Sequence, residues 1–388
     1  MSIRRPLPIA VRIVLAVAIL LGAGWLLFWP QARAHLQAVA ILWQLDGRPV
    51  PGLLRPLTSD PITVRTLTVS TTEGPMQAML YAPARHPNAP GLVITHGISH
   101  QGTRDPRMIA FARSIAACGL RVLTPDLPDL GDYHVSTVSI DKIGGAAAWL
   151  AQKTGHPVGL MGLSFSGGLA LMAAAQPQYA SNISFVFAVG AHDSMNRVAN
   201  FYVTGQDALP NGTTEKVVPN EYGLLVLEYA HLEDFTQPED TEAIRAALRA
   251  RLYEDPTLEQ SLVGKFTATQ KIEYNRIVDP RQQASAIAKS SQKHAAELAA
   301  VSPHGHLYGL RAPVFLLHGR EDNIIPYGES EWLARDLPPG TLQALLVSPL
   351  VSHVDTEKGK KAGWIDEWRL VHFMARVMEH AERTSASN

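Results

Sequence analysis

Cysteine is nearly missing from this chain: Cys118 is the only one in 388 residues. An internal disulfide framework is therefore excluded, and Cys118, placed just before Gly119 at the end of a helical pattern, reads as core. An excess of charge of either sign is missing too. The formal net charge is −1, which implies no nucleic-acid or polyanion partner. The chain holds no internal repeat, no low-complexity tract, no P-loop and no complete dinucleotide fingerprint. Its histidines show no pairing at the spacing that zinc-binding helices use, so no metal site is expected. What remains is ample apolar material. Hydrophobic residues make up 46% of the sequence, enough for one large domain with a lid.

The amino end is marked by position-specific charge. Arg4, Arg5 and Arg12 stand in a segment without an acid, and Ile13–Trp29 is then apolar throughout. As a helix that run would span roughly 25 Å, close to the hydrocarbon thickness of a bilayer. The arginines place the amino end in the cytoplasm and the rest of the chain outside, with Trp25 and Trp29 at the far interface. A cleaved signal peptide is the rival reading, because Ala32-Arg33-Ala34 fits a small-x-small cleavage pattern. Residues 31–45 are expected to continue as an amphipathic helix carrying Leu36, Val39, Ala40, Leu42 and Trp43, lying on a membrane or packing on the domain. Gly47–Gly52 reads as a linker.

The strongest chemical signal is Val158–Gly168, VGLMGLSFSGG. A short apolar strand runs into a small-x-Ser-x-small turn and then into the helix-forming stretch that starts at Leu169. Such a turn lifts a serine hydroxyl out of a sheet and sets a helix N-terminus behind it. Two frames compete. Ser164 is flanked by Gly162 and Ser166, and Ser166 by Ser164 and Gly168. Ser164 is favoured because it directly follows the strand-ending Gly162-Leu163.

Short apolar strands alternate with helical patterns around this turn. The predicted strands are Gly91–Gly97, Leu120–Asp126, Ser184–Gly190, Ala312–Gly319 and Leu342–Val347. They predict a mostly parallel sheet covered by helices on both faces. Thr63–Ser70 and Met76–Tyr81 are expected to open the sheet as an antiparallel hairpin, and Gly363–His380 to close the fold as a helix. Between Ser194 and His306 no strand is predicted. Helices are expected at Leu224–Phe235, Glu239–Tyr253, Leu258–Ile277 and Arg281–Ala300, forming a cap inserted at the carboxyl edge of the sheet.

Two strand ends carry further polar groups. His318-Gly319-Arg320-Glu321-Asp322 follows one predicted strand, and Ser352-His353 follows the last. The chain order is thus Ser164, Asp322, His353. Together the segments THG, MGLSFSGG, LLHGREDNIIP and VSH resemble the α/β-hydrolase superfamily, especially its esterase and lipase-like members, over roughly Ile62 to Glu379.

The resemblance implies Ser164 as nucleophile, His353 as general base and Asp322 as the acid that orients it. Backbone N–H groups of Ile98 and Phe165 would form the oxyanion hole, supported by His96, Gly97, Gly162 and Ser166. The reaction is then acyl transfer from a small-molecule ester or acyl substrate, with no metal or organic cofactor. Carboxylic ester hydrolysis leads. The same triad serves peptidases, amidases, thioesterases and acyltransferases, and a non-catalytic membrane-tethered binding module is the reading from another class. Asp193 is a second possible acid, and Glu321 reads as a solvated loop charge. His100, His134, His192, His304 and His306 could each line the pocket. The expected division is an anchor or signal segment over 1–34, a linker with amphipathic helix over 35–61, the core over 62–193 and 307–381, the cap over 194–306, and a polar tail over 382–388.

Overall fold

Alternation within the strands sorts the core into two layers. In strand β3 (Gly91–Thr95), Val93 joins one apolar cluster while Leu92 and Ile94 join the other. Strand β6 (Ile183–Val189) does the same, with Val186 on one side and Phe185 and Phe187 on the other. A period of two residues on a buried strand has this result: both faces of the sheet must be covered. The computed structural model describes residues 28–58, 60–86, 88–279, 284–351 and 363–386.

The chain begins, in that description, with helix α1 (28–45). Ala34, Ala38 and Ile41 recur at helical spacing, and all three are fully buried in the cluster that also holds Phe373 and Met374. Gln37 donates from Nε2 to the carbonyl of Cys118 at 2.9 Å. Of the two expectations for residues 31–45, packing on the domain is the one observed. Among the described residues no helix is long and apolar enough to cross a membrane. The apolar run Ile13–Trp29 lies outside them except for Phe28 and Trp29.

After a short turn of helix α2 (Arg55–Thr58), strands β1 (Ile62–Thr71) and β2 (Gly74–Pro83) form the antiparallel hairpin. Then come β3, helix α3 (Pro106–Ala117), strand β4 (Arg121–Pro125), α4 (Pro128–Gly131), α5 (Thr137–Thr154), β5 (Val158–Leu163), α6 (Phe165–Ala175), α7 (Pro177–Ala180) and β6. Ser136 caps α5 by accepting from the N–H of Ser139, and Asp105 caps α3 by accepting from Arg107.

The cap follows as α8 (Met195–Thr204), strands β7 (Gln206–Ala208) and β8 (Thr214–Lys216), α9 (Glu221–Ala230), α10 (Thr241–Leu252), α11 (Pro256–Gly264), α12 (Ala268–Ile277), α13 (Ala284–Lys293) and α14 (Ala295–Ala300). The sheet resumes with β9 (Val314–Gly319), α15 (Gly328–Asp336) and β10 (Leu342–Ser348), and α16 (Trp364–Ala386) ends the fold. The eight-stranded sheet has the order β1-β2-β4-β3-β5-β6-β9-β10. β1, β2 and β4 pair antiparallel and every later pairing is parallel.

The cap differs from its sequence expectation in detail. A small hairpin, β7 with β8, stands where no strand is predicted, and α8 precedes the first predicted helix. Three-residue strands of polar sequence are too short for alternation to show. The stretch Leu258–Ile277 is two helices, because Thr267 and Gln270 form a reciprocal capping box that starts α12 afresh. The stretch Arg281–Ala300 is interrupted at His294, without a side-chain cap, and its first residues, 281–283, lie outside the described residues.

One cap residue is held at odds with its chemistry. Glu228 on α9 is 1% exposed, and its Oε1 has no hydrogen-bond partner. Burial pushes its carboxyl up to about 8 from an ordinary 4.5. A raised acid favours the fold while neutral, and that advantage is lost as pH rises through the folded value. Glu228→Gln should therefore match the wild type near pH 5 and exceed it at pH 9, by about 3 kcal/mol. Melting curves at the two pH values measure the difference.

Candidate active site

β5 ends at Leu163 and α6 begins at Phe165, so Ser164 is the single residue between strand and helix. Its backbone sits at φ 57° and ψ −134°, a region that side-chain-bearing residues avoid. Holding it there costs about 1–3 kcal/mol, which the surroundings must offset. They do so with two bonds: Ser164 N–H donates to Val189 O at 2.7 Å, and Ser164 O accepts from Gly167 N at 2.8 Å. A Cβ at Gly162 would run into the backbone of Ser166 and Gly167. Glycine there is what lets strand and helix approach so closely. A Cβ at Gly97 would stand 3.0 Å from Ser164 Cβ and 3.6 Å from its Oγ. The loop after β3 thus passes directly over the serine.

The second frame has a different environment. Ser166 is fully buried inside the first turn of α6. Its Oγ lies 3.0 Å from Thr95 Oγ1, 3.1 Å from Thr95 O and 2.9 Å from Leu163 O, and accepts from Leu163 N at 3.0 Å. That hydroxyl ties the ends of β3 and β5 together. The apex of the turn belongs to Ser164, which is half-buried.

His96 braces the same loop. Its ring is 3% exposed; Nδ1 donates to Gly97 O at 2.7 Å and Nε2 accepts from Leu127 N at 3.1 Å. Desolvation holds its pKa below the ordinary imidazole value, so it is neutral, as this pair of bonds requires. Ile98, next along, accepts at its carbonyl from the Tyr222 hydroxyl at 3.1 Å. Both Ile98 and Phe165 line a cavity under the cap. Phe165 is the first residue of α6, so its N–H has no partner one turn back in the helix.

Asp322 follows β9 and is 4% exposed. Its Oδ1 accepts from Ile324 N and Ile325 N, each at 3.0 Å, and its Oδ2 lies 3.4 Å from His318 Nε2. His318 is itself fully buried, donating from Nε2 to Ile325 O at 2.8 Å. Two main-chain N–H groups thus hold the carboxylate in place. The chain leaving β10 comes to the same place, since a Cβ at Gly319 would strike the carbonyl of Val351. His353 and Ser352 lie outside the described residues. Glu321 is exposed.

Asp193, the other acid at a strand end, is occupied elsewhere. It accepts from Arg197 Nη2 at 2.6 Å, while Arg197 Nε donates to Glu329 Oε1 at 2.6 Å. Glu329 Oε2 also accepts from Asp193 N at 2.9 Å and Ser194 N at 2.8 Å. Burial, with Glu329 beside it, pushes the Asp193 carboxyl up to about 7. This network joins the start of α8 to α15.

Of the five histidines weighed as pocket residues, only His134 lines the cavity. His192 is fully buried and donates to Val301 O at 2.9 Å, and His306 pairs with Ser302 O at 2.8 Å. His304 is exposed beside Asp336, and His100 stacks on Tyr253 with ring centres 4.5 Å apart. A histidine not singled out in the sequence does reach the cavity. His231 lines it with Glu297, and stacks on His294 at 3.8 Å between ring centres. His294 bonds Asp234 Oδ2 at 3.0 Å and stands 3.3 Å from Glu297. Metal-ligating atoms of His231, His294 and Glu297 all fall within 4.8 Å of one another, as do those of Asp193, His304 and Asp336. No sequence spacing announces either group, because each is assembled from separate elements.

The cavity contains about 530 Å³ of empty space, mouth included, and its walls are mainly apolar. Met195 and Val198 come from α8, Val226 and Leu227 from α9, and Leu298 from α14. The cap therefore builds one side of the chamber and the sheet edge with Ile98 and Phe165 builds the other.

One solved structure agrees with this architecture. A Legionella pneumophila protein described as a candidate hydrolase superposes with a TM-score of 0.56 at 16% identity, over 90% of this chain and 96% of that one. Brefeldin A esterase, a bacterial homologue of human hormone sensitive lipase, gives 0.46 at 14% identity, over 90% and 85% of the two chains. An esterase from the archaeon Pyrobaculum calidifontis gives 0.42 at 16% identity, over 91% and 86%. Among curated proteins none matches the sequence. The family model described as alpha/beta hydrolase fold matches residues 90–355 of the 388, and with the sheet order and the strand-serine-helix turn it places this chain in the α/β-hydrolase fold family.

Proposed function

We propose that this protein is a serine hydrolase of carboxylic esters, anchored to the cytoplasmic membrane with its catalytic domain outside. The observation that carries the reading is Ser164 alone at φ 57° between β5 and α6, with Gly97 passing over it. Asp322 at the end of β9 adds a buried carboxylate fixed by two N–H groups. In this reading Ser164 Oγ attacks the ester carbonyl and His353 takes its proton. The carbonyl oxygen becomes an oxyanion held by the N–H groups of Ile98 and Phe165. His353 returns the proton to the departing alkoxide, which leaves as the alcohol. Water, deprotonated by the same imidazole, then splits the acyl-serine into a free acid and Ser164. The apolar cavity favours a hydrocarbon-rich acyl group.

Arg4, Arg5 and Arg12 ahead of the apolar run Ile13–Trp29 support the anchor and its orientation. A fluorophosphonate probe tests the chemistry. It is expected to label the full-length protein and the Ser166→Ala variant, and not Ser164→Ala. Labelling that persists in Ser164→Ala and vanishes in Ser166→Ala would move the nucleophile to the other frame. A folded wild-type protein that takes no label would reject the hydrolase.

A further inference from the structure

Three tyrosines gather around the cavity, and they are not equivalent. Tyr133 donates to Leu252 O at 2.6 Å, and Tyr222 donates to Ile98 O at 3.1 Å. Tyr202 lines the cavity and is 7% exposed, yet its buried hydroxyl has no hydrogen-bond partner. Leaving a buried hydroxyl unpaired costs about 1–3 kcal/mol. The surroundings are shaped to keep it there: a Cβ at Gly223, on the facing helix α9, would collide with the Tyr202 hydroxyl. Tyr202 also stands where the charge of Asp322 reaches it, and that charge together with burial keeps the phenol protonated. A neutral O–H donor, dry and unpaired, thus belongs to a wall residue of the chamber that Ile98 of the oxyanion loop also lines, the wall's other polar side chains including His134, His231 and Glu297.

We infer that the Tyr202 hydroxyl binds an acceptor oxygen on the acyl part of the substrate, so that oxygen-bearing acyl groups (oxo acids in particular) are selected over plain alkyl ones. The inference rests on the ester-hydrolase reading and narrows its substrate class. The apolar part of the wall discriminates weakly between chains. A desolvated donor discriminates strongly, because a chain lacking the acceptor leaves the hydroxyl unpaired. Tyr202 acts here as a specificity residue, separate from the groups that move protons.

The test compares p-nitrophenyl pentanoate with the 3-oxo and 4-oxopentanoate esters, on full-length wild type, Tyr202→Phe and Ser164→Ala. Wild type is expected to prefer at least one oxo ester by kcat/KM. Tyr202→Phe should lose that preference, by roughly 10- to 100-fold on the preferred ester, with pentanoate kept within about twofold. Its melting temperature should match or exceed that of wild type, since an unpaired polar atom is removed. An equal change on all three esters, no change on any, or a wild type without preference would overturn the inference while the hydrolase stands. A clear fall in melting temperature would also overturn it, by showing that the hydroxyl already has a partner in the fold. Wild type that turns over none of the esters, or turnover that survives in Ser164→Ala, would overturn the parent reading and this inference with it.

Discussion

Ser164→Ala should lower kcat for ester hydrolysis by roughly 10⁴- to 10⁶-fold, the scale on which a triad nucleophile counts. Its binding of a non-hydrolysable ester analogue should change little, because the oxyanion donors are main-chain groups that the substitution leaves in place. The fold should stay within about 1 kcal/mol of wild type, since alanine at φ 57° bears the same backbone strain. Ser166→Ala is the necessary companion. Its hydroxyl touches only Thr95 and Leu163, both at strand ends, so the cost falls on stability, by about 1–3 kcal/mol. Steady-state kinetics and thermal melts on the two variants separate these outcomes. The reverse pattern, with activity lost at 166 and kept at 164, would reassign the nucleophile.

Arg197→Ala should be the most damaging single change away from the serine. It leaves Asp193 and Glu329, whose side chains are 0% and 1% exposed, without their cation. Breaking a buried pair by removing one partner costs about 3–5 kcal/mol. For a domain of this size that corresponds to a melting midpoint lower by roughly 10 °C. The deficit should shrink as pH falls, because protonating Asp193, whose carboxyl is already pushed up to about 7, removes part of the uncompensated charge. A loss that stays constant from pH 8 to pH 5 would instead point to the contact of the guanidinium with the Trp332 ring, 4.5 Å away.

The elements that buried apolar runs specify were legible in the sequence. β3, β5, β6 and β9 have strand patterns with hardly a polar residue, and each is a parallel strand of the sheet. Asp322 was legible as a strand-end acid, but not its two N–H donors, which depend on how the Asn323–Ile325 turn folds back. Small flanking residues alone leave two serine frames, and the position of Ser164 directly after the strand end is what favours it in the sequence. Backbone dihedrals and the bonds of the Ser166 hydroxyl distinguish them. The cap was legible as helical and not as individual helices, since its breaks come from local caps such as Thr267 and from the three-residue strands β7 and β8. The pairing of His231 with His294, and the empty hand of Tyr202, are tertiary facts with no local signature.

Helix α1 has a mechanical consequence. It is clamped along Ala34, Ala38 and Ile41 into the same core that holds α3 and α16, while the Gly47–Gly52 linker comes only afterwards. On the proposed anchoring, the bilayer segment would lead directly into a helix packed on the domain and not into the Gly47–Gly52 linker. That linker would then add no reach between lipid and domain, and the cavity mouth would stay nearer the lipid surface than a linker-tethered domain allows. Which esters it encounters would then be settled by the geometry of attachment before any pocket has a say.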